Sequence, residues 1–144
     1  MQKLIRIASL ADFNAIQNLD QKVATSSLDR SNRIMQAIHE NSCYALISNS
    51  YIQGFALFQH AAFRQMDFLD LLIVDSTFRR QGVGSALIKH FRENATTEFC
   101  WTSTNASNAP MVSLLKRSAW IESGYREDLD PGDPDIFFYT KKTT

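Results

Sequence analysis

Leu72-Ile73-Val74-Asp75-Ser76-Thr77-Phe78-Arg79-Arg80-Gln81-Gly82-Val83-Gly84-Ser85 is the stretch that decides the fold. A dense apolar run, Phe68 to Val74, reads as a buried strand. It enters a loop with two glycines, and an amphipathic helix over 82–94 opens directly on them, with Val83, Leu87, Ile88 and Phe91 on one face. A helix N-terminus leaves unpaired N–H groups and partial positive charge. Glycines let a phosphate approach those groups, and Arg79 and Arg80 add charge beside them. The chemistry expected is capture of a phosphate or pyrophosphate, against the plainer reading of a solvated strand-to-helix turn. Gly84 is followed by Ser85-Ala86, so the Lys-Ser/Thr of a P-loop is missing, and so is a three-glycine dinucleotide fingerprint.

Working outward, Leu4 to Ile7 reads as a first strand. Ser9 and Asp12 form a capping-box pattern ahead of a helix over 10–24. A second helix follows near 29–40. Cys43 to Ser48 and Tyr51 to Gln59 are apolar runs split by Asn49-Ser50, a hairpin signal because Asn tolerates positive φ. Phe99 to Thr104 returns to strand. Pro110 to Ser118 is a short helix with Pro suitably placed at its start. Trp120 to Tyr125 and Ile136 to Thr140 close the chain around an acidic loop, Asp128 to Pro134. The order βααβββαβαββ implies an α/β fold with a mixed sheet and helices on both faces.

Composition bounds the function. The chain has 144 residues, 15 Lys+Arg against 15 Asp+Glu, 44% hydrophobic and 21% charged residues, with a pI near 6.8. That fits one domain over 1–144, with no internal repeat or linker. Charge balance argues against nucleic acid as a partner. No apolar run suits a membrane span, and Arg6 and Asp12 interrupt any secretory-signal pattern. Cys43 and Cys100 lack metal-ligand spacing and are too few for a disulfide framework, so a reduced, cytoplasmic protein without metal is expected. His39, His60 and His90 read as surface or structural residues.

The motif Arg79-Arg80-Gln81-Gly82-Val83-Gly84 resembles the acetyl-CoA loop of the GCN5-related N-acetyltransferase (GNAT) superfamily, Gln/Arg-x-x-Gly-x-Gly/Ala. A second segment is similar as well. Thr102 to Met111, running through Leu114-Leu115-Lys116-Arg117-Ser118 to Ala119-Trp120, looks like the family's strand-end Asn, short helix and Gly-Phe-like pair. With the element order, the resemblance covers essentially the whole chain. It implies a mostly antiparallel sheet of about seven strands flanked by helices, and acetyl transfer from acetyl-CoA to a primary amine of a small molecule, amino acid or peptide. It further implies that the pantetheine arm pairs with the fourth strand at Leu72, Ile73 and Val74. The pyrophosphate would sit on the amides of Gln81, Gly82, Val83, Gly84 and Ser85, beside Arg79 or Arg80. Asn105, Asn108, Met111 and Leu115 would line the cofactor from the other segment, with Lys116 or Arg117 near the 3′-phosphate. A homodimer is common among such relatives.

An alkylammonium cannot attack a thioester until it loses a proton, so a base or water chain is required. Asp70 is the one charge inside Phe68 to Val74. Burial there would raise its pKa toward a useful base, and the competing reading is a structurally paired Asp. Some family members place the acidic residue two positions earlier, where Phe68 stands. Many have a tyrosine acting as general acid where this chain has Leu115. Tyr139 or Ser113 could replace it, or the thiolate, with a thiol pKa near 8.5, leaves unaided and is protonated by water. The alternative class is a CoA-binding module without turnover. The carboxylates of Glu127, Asp128, Asp130, Asp133 and Asp135 suit a cationic acceptor, or are simply solvated.

Overall fold

The computed structural model describes residues 3–23 and 28–142. The strands are β1 (Leu4–Ile7), β2 (Cys43–Ser48), β3 (Tyr51–Phe63), β4 (Met66–Val74), β5 (Phe99–Asn105), β6 (Ile121–Arg126) and β7 (Asp135–Lys141). The helices are α1 (Phe13–Val23), α2 (Leu28–His39), α3 (Val83–Glu93) and α4 (Ala109–Arg117). One seven-stranded sheet runs β1-β2-β3-β4-β5-β7-β6. The β1–β2, β2–β3, β5–β7 and β6–β7 pairs are antiparallel and β4–β5 is parallel. No helix among the described residues is long and apolar enough to cross a membrane.

The expected order of elements is present, with local corrections. The first helix begins as a 3-10 turn over Leu10–Asp12 before α1, and residue 24 of the expected helix lies outside the described residues. Asp12 holds this start by accepting from the Ser9 amide at 2.8 Å and from both Arg6 guanidinium nitrogens at 2.8 and 3.0 Å. The Arg6 contact keeps the Asp12 carboxyl down at about 2. β3 extends past Gln59 to Phe63 and β4 starts at Met66, joined by Arg64-Gln65 at φ 49 and 62. The predicted hairpin turn, Asn49-Ser50, likewise takes φ 55 and 62. Trp120 precedes β6 instead of opening it, because Ala119 takes φ 66 and returns the Trp120 amide to the Leu115 carbonyl at 3.1 Å.

Two compact units emerge, each from two chain segments: Met1–Phe58 with Leu71–His90, and Gln59–Asp70 with Phe91–Thr144. The first buries an apolar cluster including Ile16, Ile34, Ile38, Phe55, Leu57 and Ile73. Asp20, buried under it, takes a bidentate contact from Arg30 at 2.5 and 2.9 Å, fixing α1 to α2. The second unit buries Leu69, Phe91, Cys100, Leu115, Trp120 and Phe138. Both cysteines are free and buried. Burial pushes the Cys43 thiol up to about 12 and the Cys100 thiol to about 11, so neither is a nucleophile at neutral pH.

Candidate active site

In the first unit, the start of α3 is held by backbone geometry. β4 ends at Asp75, whose amide donates to the Gln53 carbonyl at 2.9 Å and whose side chain accepts from Thr77 N at 2.9 Å. A 3-10 turn, Ser76–Phe78, leads to exposed Arg79 and to Arg80 at φ 63. Gly82 sits at φ +79, the left-handed region that a side chain adopts only with strain. The first bond of the helix is Ala86 N to Gly82 O at 3.0 Å. The amides of Val83, Gly84 and Ser85 therefore open outward from the helix terminus with no carbonyl four residues back. Lys3 Nζ donates to Gln81 O at 2.7 Å and tethers the loop.

The sequence reading missed Gly54, which sets how closely α3 packs. A Cβ there would lie 2.8 Å from Val83 Cγ1 and 2.9 Å from the Ile73 carbonyl oxygen. It follows a bulge in β3, where the register passes from Leu46↔Gly54 to Ile47↔Ile52 and skips Gln53. The signal was present as a lone glycine inside an apolar strand. Val83 is 1% exposed, so only its amide, not its side chain, is available to a ligand. Leu72 and Val74 are half-buried, and Ile73 belongs to the core.

In the second unit, β4 and β5 pair over Asp67↔Cys100, Phe68↔Trp101 and Leu69↔Thr102. The ladder closes with Thr102 Oγ1 donating to the Leu69 carbonyl at 2.7 Å. Onward, β5 pairs with β7 as far as Asn105↔Asp135. Strand alternation places Phe68 and Asp70 on one face with Trp101, Ser103, Asn105, Phe137 and Tyr139. Asp70 is half-exposed and accepts from Gln59 Nε2 at 3.2 Å, so the expected apolar burial is not what surrounds it. Tyr139 is exposed, its ring 6.4 Å from that of Phe99.

The residues of the second motif have structural partners. Asn105 Nδ2 donates to Asp130 Oδ2 at 3.0 Å and to the Asp133 carbonyl at 3.1 Å. Asn108 caps α4, its Oδ1 accepting from the Met111 amide at 3.3 Å. Leu115 is fully buried, so its side chain faces the core. Arg117 donates to Ser113 Oγ at 3.0 Å. Arg117, Lys116, Ser113, Val112, Ala109 and Ala106 line an open hollow of about 610 Å³.

The reading along the chain also missed Asp67, which is fully buried. It accepts from Thr96 N at 2.5 Å, Thr96 Oγ1 and Ala61 N at 2.8 Å, and contacts His60 Nδ1 at 3.2 Å. Burial pushes its pKa up, but the hydrogen bonds from Thr96, Ala61 and His60 outweigh that and hold it below the usual range. It ties the last residues of β3 to the segment after α3's end at residues 96–97, a clamp and not a reacting group.

Residues 10–120 match the model of the Acetyltransferase (GNAT) family. Among solved structures, the chain is similar to a GNAT-family acetyltransferase from Bacillus cereus, 34% identical, covering 100% of both chains with a TM-score of 0.91. It is similar in fold to the ribosomal-protein-S18-alanine N-acetyltransferase of Escherichia coli, 20% identical over 99% of this chain and 96% of that one, TM-score 0.83. A Bacillus anthracis structure in complex with acetyl coenzyme A is 16% identical over 98% of this chain and 99% of that one, TM-score 0.81. No curated protein matches the sequence. A family model spanning most of the chain, on a sheet and glycine loop of the expected form, places the protein in the GNAT family of acetyltransferases, which are acyltransferases.

Proposed function

We propose that this protein transfers the acetyl group of acetyl-CoA to a primary amine by direct attack. The observation that carries the reading is the α3 terminus: outward amides of Val83 to Ser85 behind a left-handed Gly82, with Arg79 and Arg80 exposed beside them. That geometry fits a pyrophosphate. Lys116 and Arg117 beside the hollow offer positive charge to a phosphate. The fold neighbour holding acetyl coenzyme A supports the same ligand.

Acetyl-CoA supplies an activated acyl carbon: the amine nitrogen bonds to it, the C–S bond breaks, and the second proton shed by the nitrogen as the amide forms passes through water to the departing thiolate. The chain's part is to hold and to deprotonate. Backbone of Leu72 to Val74 offers strand-type pairing to the pantetheine arm. Asp70, kept in place by Gln59, accepts the ammonium proton, directly or through water. Leu115 has no proton to give, so departure of the thiolate relies on its own stability.

The test is release of free thiol from acetyl-CoA with a panel of amines. Sustained turnover on some amine is expected. Tight CoA binding with no turnover on a broad panel would instead identify a CoA-binding module.

A further inference from the structure

The face of the second unit that carries Asp70 holds features the transfer step does not use. Phe68, Trp101 and Phe137, on the neighbouring strands β4, β5 and β7, form one aromatic floor. The first two rings stack at 4.3 Å and 27°, the second pair at 5.6 Å and 13°. All three residues are only half-buried. Two residues before Phe137 on the same face stands Asp135, 8% exposed, whose Oδ2 is buried with no hydrogen-bond partner.

The acidic loop has otherwise been tied up. Asp128 is held by Arg126 at 2.6 and 3.0 Å, Asp133 by Ser107 at 2.5 and 3.0 Å, and Asp130 by Asn105 at 3.0 Å. Asp135 is aimed into this group, within hydrogen-bonding reach of Asp130. Burial and the neighbouring carboxylates hold its proton on more tightly than usual. A buried carboxyl with an unmet oxygen beside a second carboxylate is unfavourable alone. An ammonium or guanidinium supplies both the missing donor and the counter-charge. Aromatic faces attract the same groups. Among the described residues no set of three or more metal-ligating side chains is gathered, and the aromatic floor beside Asp135 suits an organic cation.

We propose that this face selects a dicationic acceptor. One amine lies toward Asp70 to be acetylated, and a second ammonium or guanidinium docks on Asp135 and Asp130 across the floor of Phe68, Trp101 and Phe137. Extending the β4–β5–β7 register, Asp70 lies level with Phe137, so Asp135 is two inter-strand spacings across and two residues along from it, about 12 Å, which sets the separation of the two charges. This rests on the acetyltransferase reading above and adds to it the class of acceptor.

The experiment compares 1,8-diaminooctane with 8-amino-1-octanol, which differ only in the second charge, in acetyl-CoA-dependent thiol release. The expected result is a kcat/KM about tenfold higher for the diamine, carried in KM, as one such contact supplies. That preference should fall to within about twofold in Asp135→Asn and in Asp130→Asn. The second site is exposed, so its variant keeps the test alive if the first does not fold. Equal kcat/KM in the unmodified protein, or a preference surviving both substitutions, overturns the proposal. If neither amine is acetylated while other amines of the panel are, the proposal is overturned; if no amine of the panel is acetylated, the acetyltransferase reading has failed separately, and calorimetric titration of the diamine in the presence of CoA takes over. Saturable binding weakened by Asp135→Asn supports the docking face; no binding overturns it.

Discussion

At the start of α3 the groups offered to a ligand are backbone amides, whereas on the β4–β5–β7 face they are side chains. The amides depend on conformation: Gly82 at φ +79, Arg80 at φ 63 and the close packing allowed by Gly54. The face depends on residue identity: Asp70, Asp130, Asp135 and three aromatic rings. A backbone site constrains glycine placement, which leaves a short motif in the sequence. A side-chain site draws on strands far apart in the chain and leaves none. The two regions should therefore respond to different substitutions.

The largest contrast is expected at Asp70. Asp70→Asn should lower kcat about 100-fold, within the range for loss of a general base, while the acetyl-CoA Kd measured by titration stays within about twofold. An unchanged kcat across pH would remove the base role. Next is Gly54→Val, where the clash with the Ile73 carbonyl cannot be relieved by a rotamer change. Chemical denaturation should show a loss of about 2–3 kcal/mol, together with weaker acetyl-CoA binding as α3 shifts. Stability lost with binding intact would separate α3 packing from the ligand site.

Asp67→Asn, which keeps the shape but not the charge of the clamp, should cost about 1–3 kcal/mol at pH 7. Because the Asp67 pKa is lowered in the folded state, its contribution is present above the unfolded value near 3.9 and is lost as pH falls through the folded value. The gap between the two proteins in denaturation midpoint should thus narrow below about pH 4. The smallest effect is at Ala119, whose φ of 66 strains a residue with a Cβ. Ala119→Gly should stabilise by about 1 kcal/mol, read as a rise in Tm with kinetics unaltered.

Periodicity and turn chemistry carried most of the fold. Asn49-Ser50 declared its hairpin, and Pro110 its helix start. Arg64-Gln65 adopts the same left-handed pair but has no residue that favours it, so the extension of β3 to Phe63 and the earlier start of β4 were hidden. The α3 loop was legible because glycine was needed there. Asp67 was not, since its partners Thr96 and Thr97 lie 29 and 30 residues on. Asp70 was singled out as a candidate by its charge within an apolar run, but its half-exposed setting beside Gln59 arises from a cross-strand neighbour that no single strand reveals. Asn108 was picked out with the cofactor segment, and its visible work is to cap α4.

The central claim is that the outward amides behind Gly82 hold the cofactor. Calorimetric titration of acetyl-CoA into the unmodified protein and into Gly82→Trp tests it most directly, with circular dichroism confirming the fold of both. A Cβ at position 82 meets nothing within 4 Å, so the added bulk acts on the ligand and on the left-handed turn, and not on the core. Saturable binding that falls by at least about 100-fold in the variant is predicted, given a phosphate contact blocked and a turn strained by roughly 1–2 kcal/mol. Undiminished binding in a folded Gly82→Trp protein would contradict it.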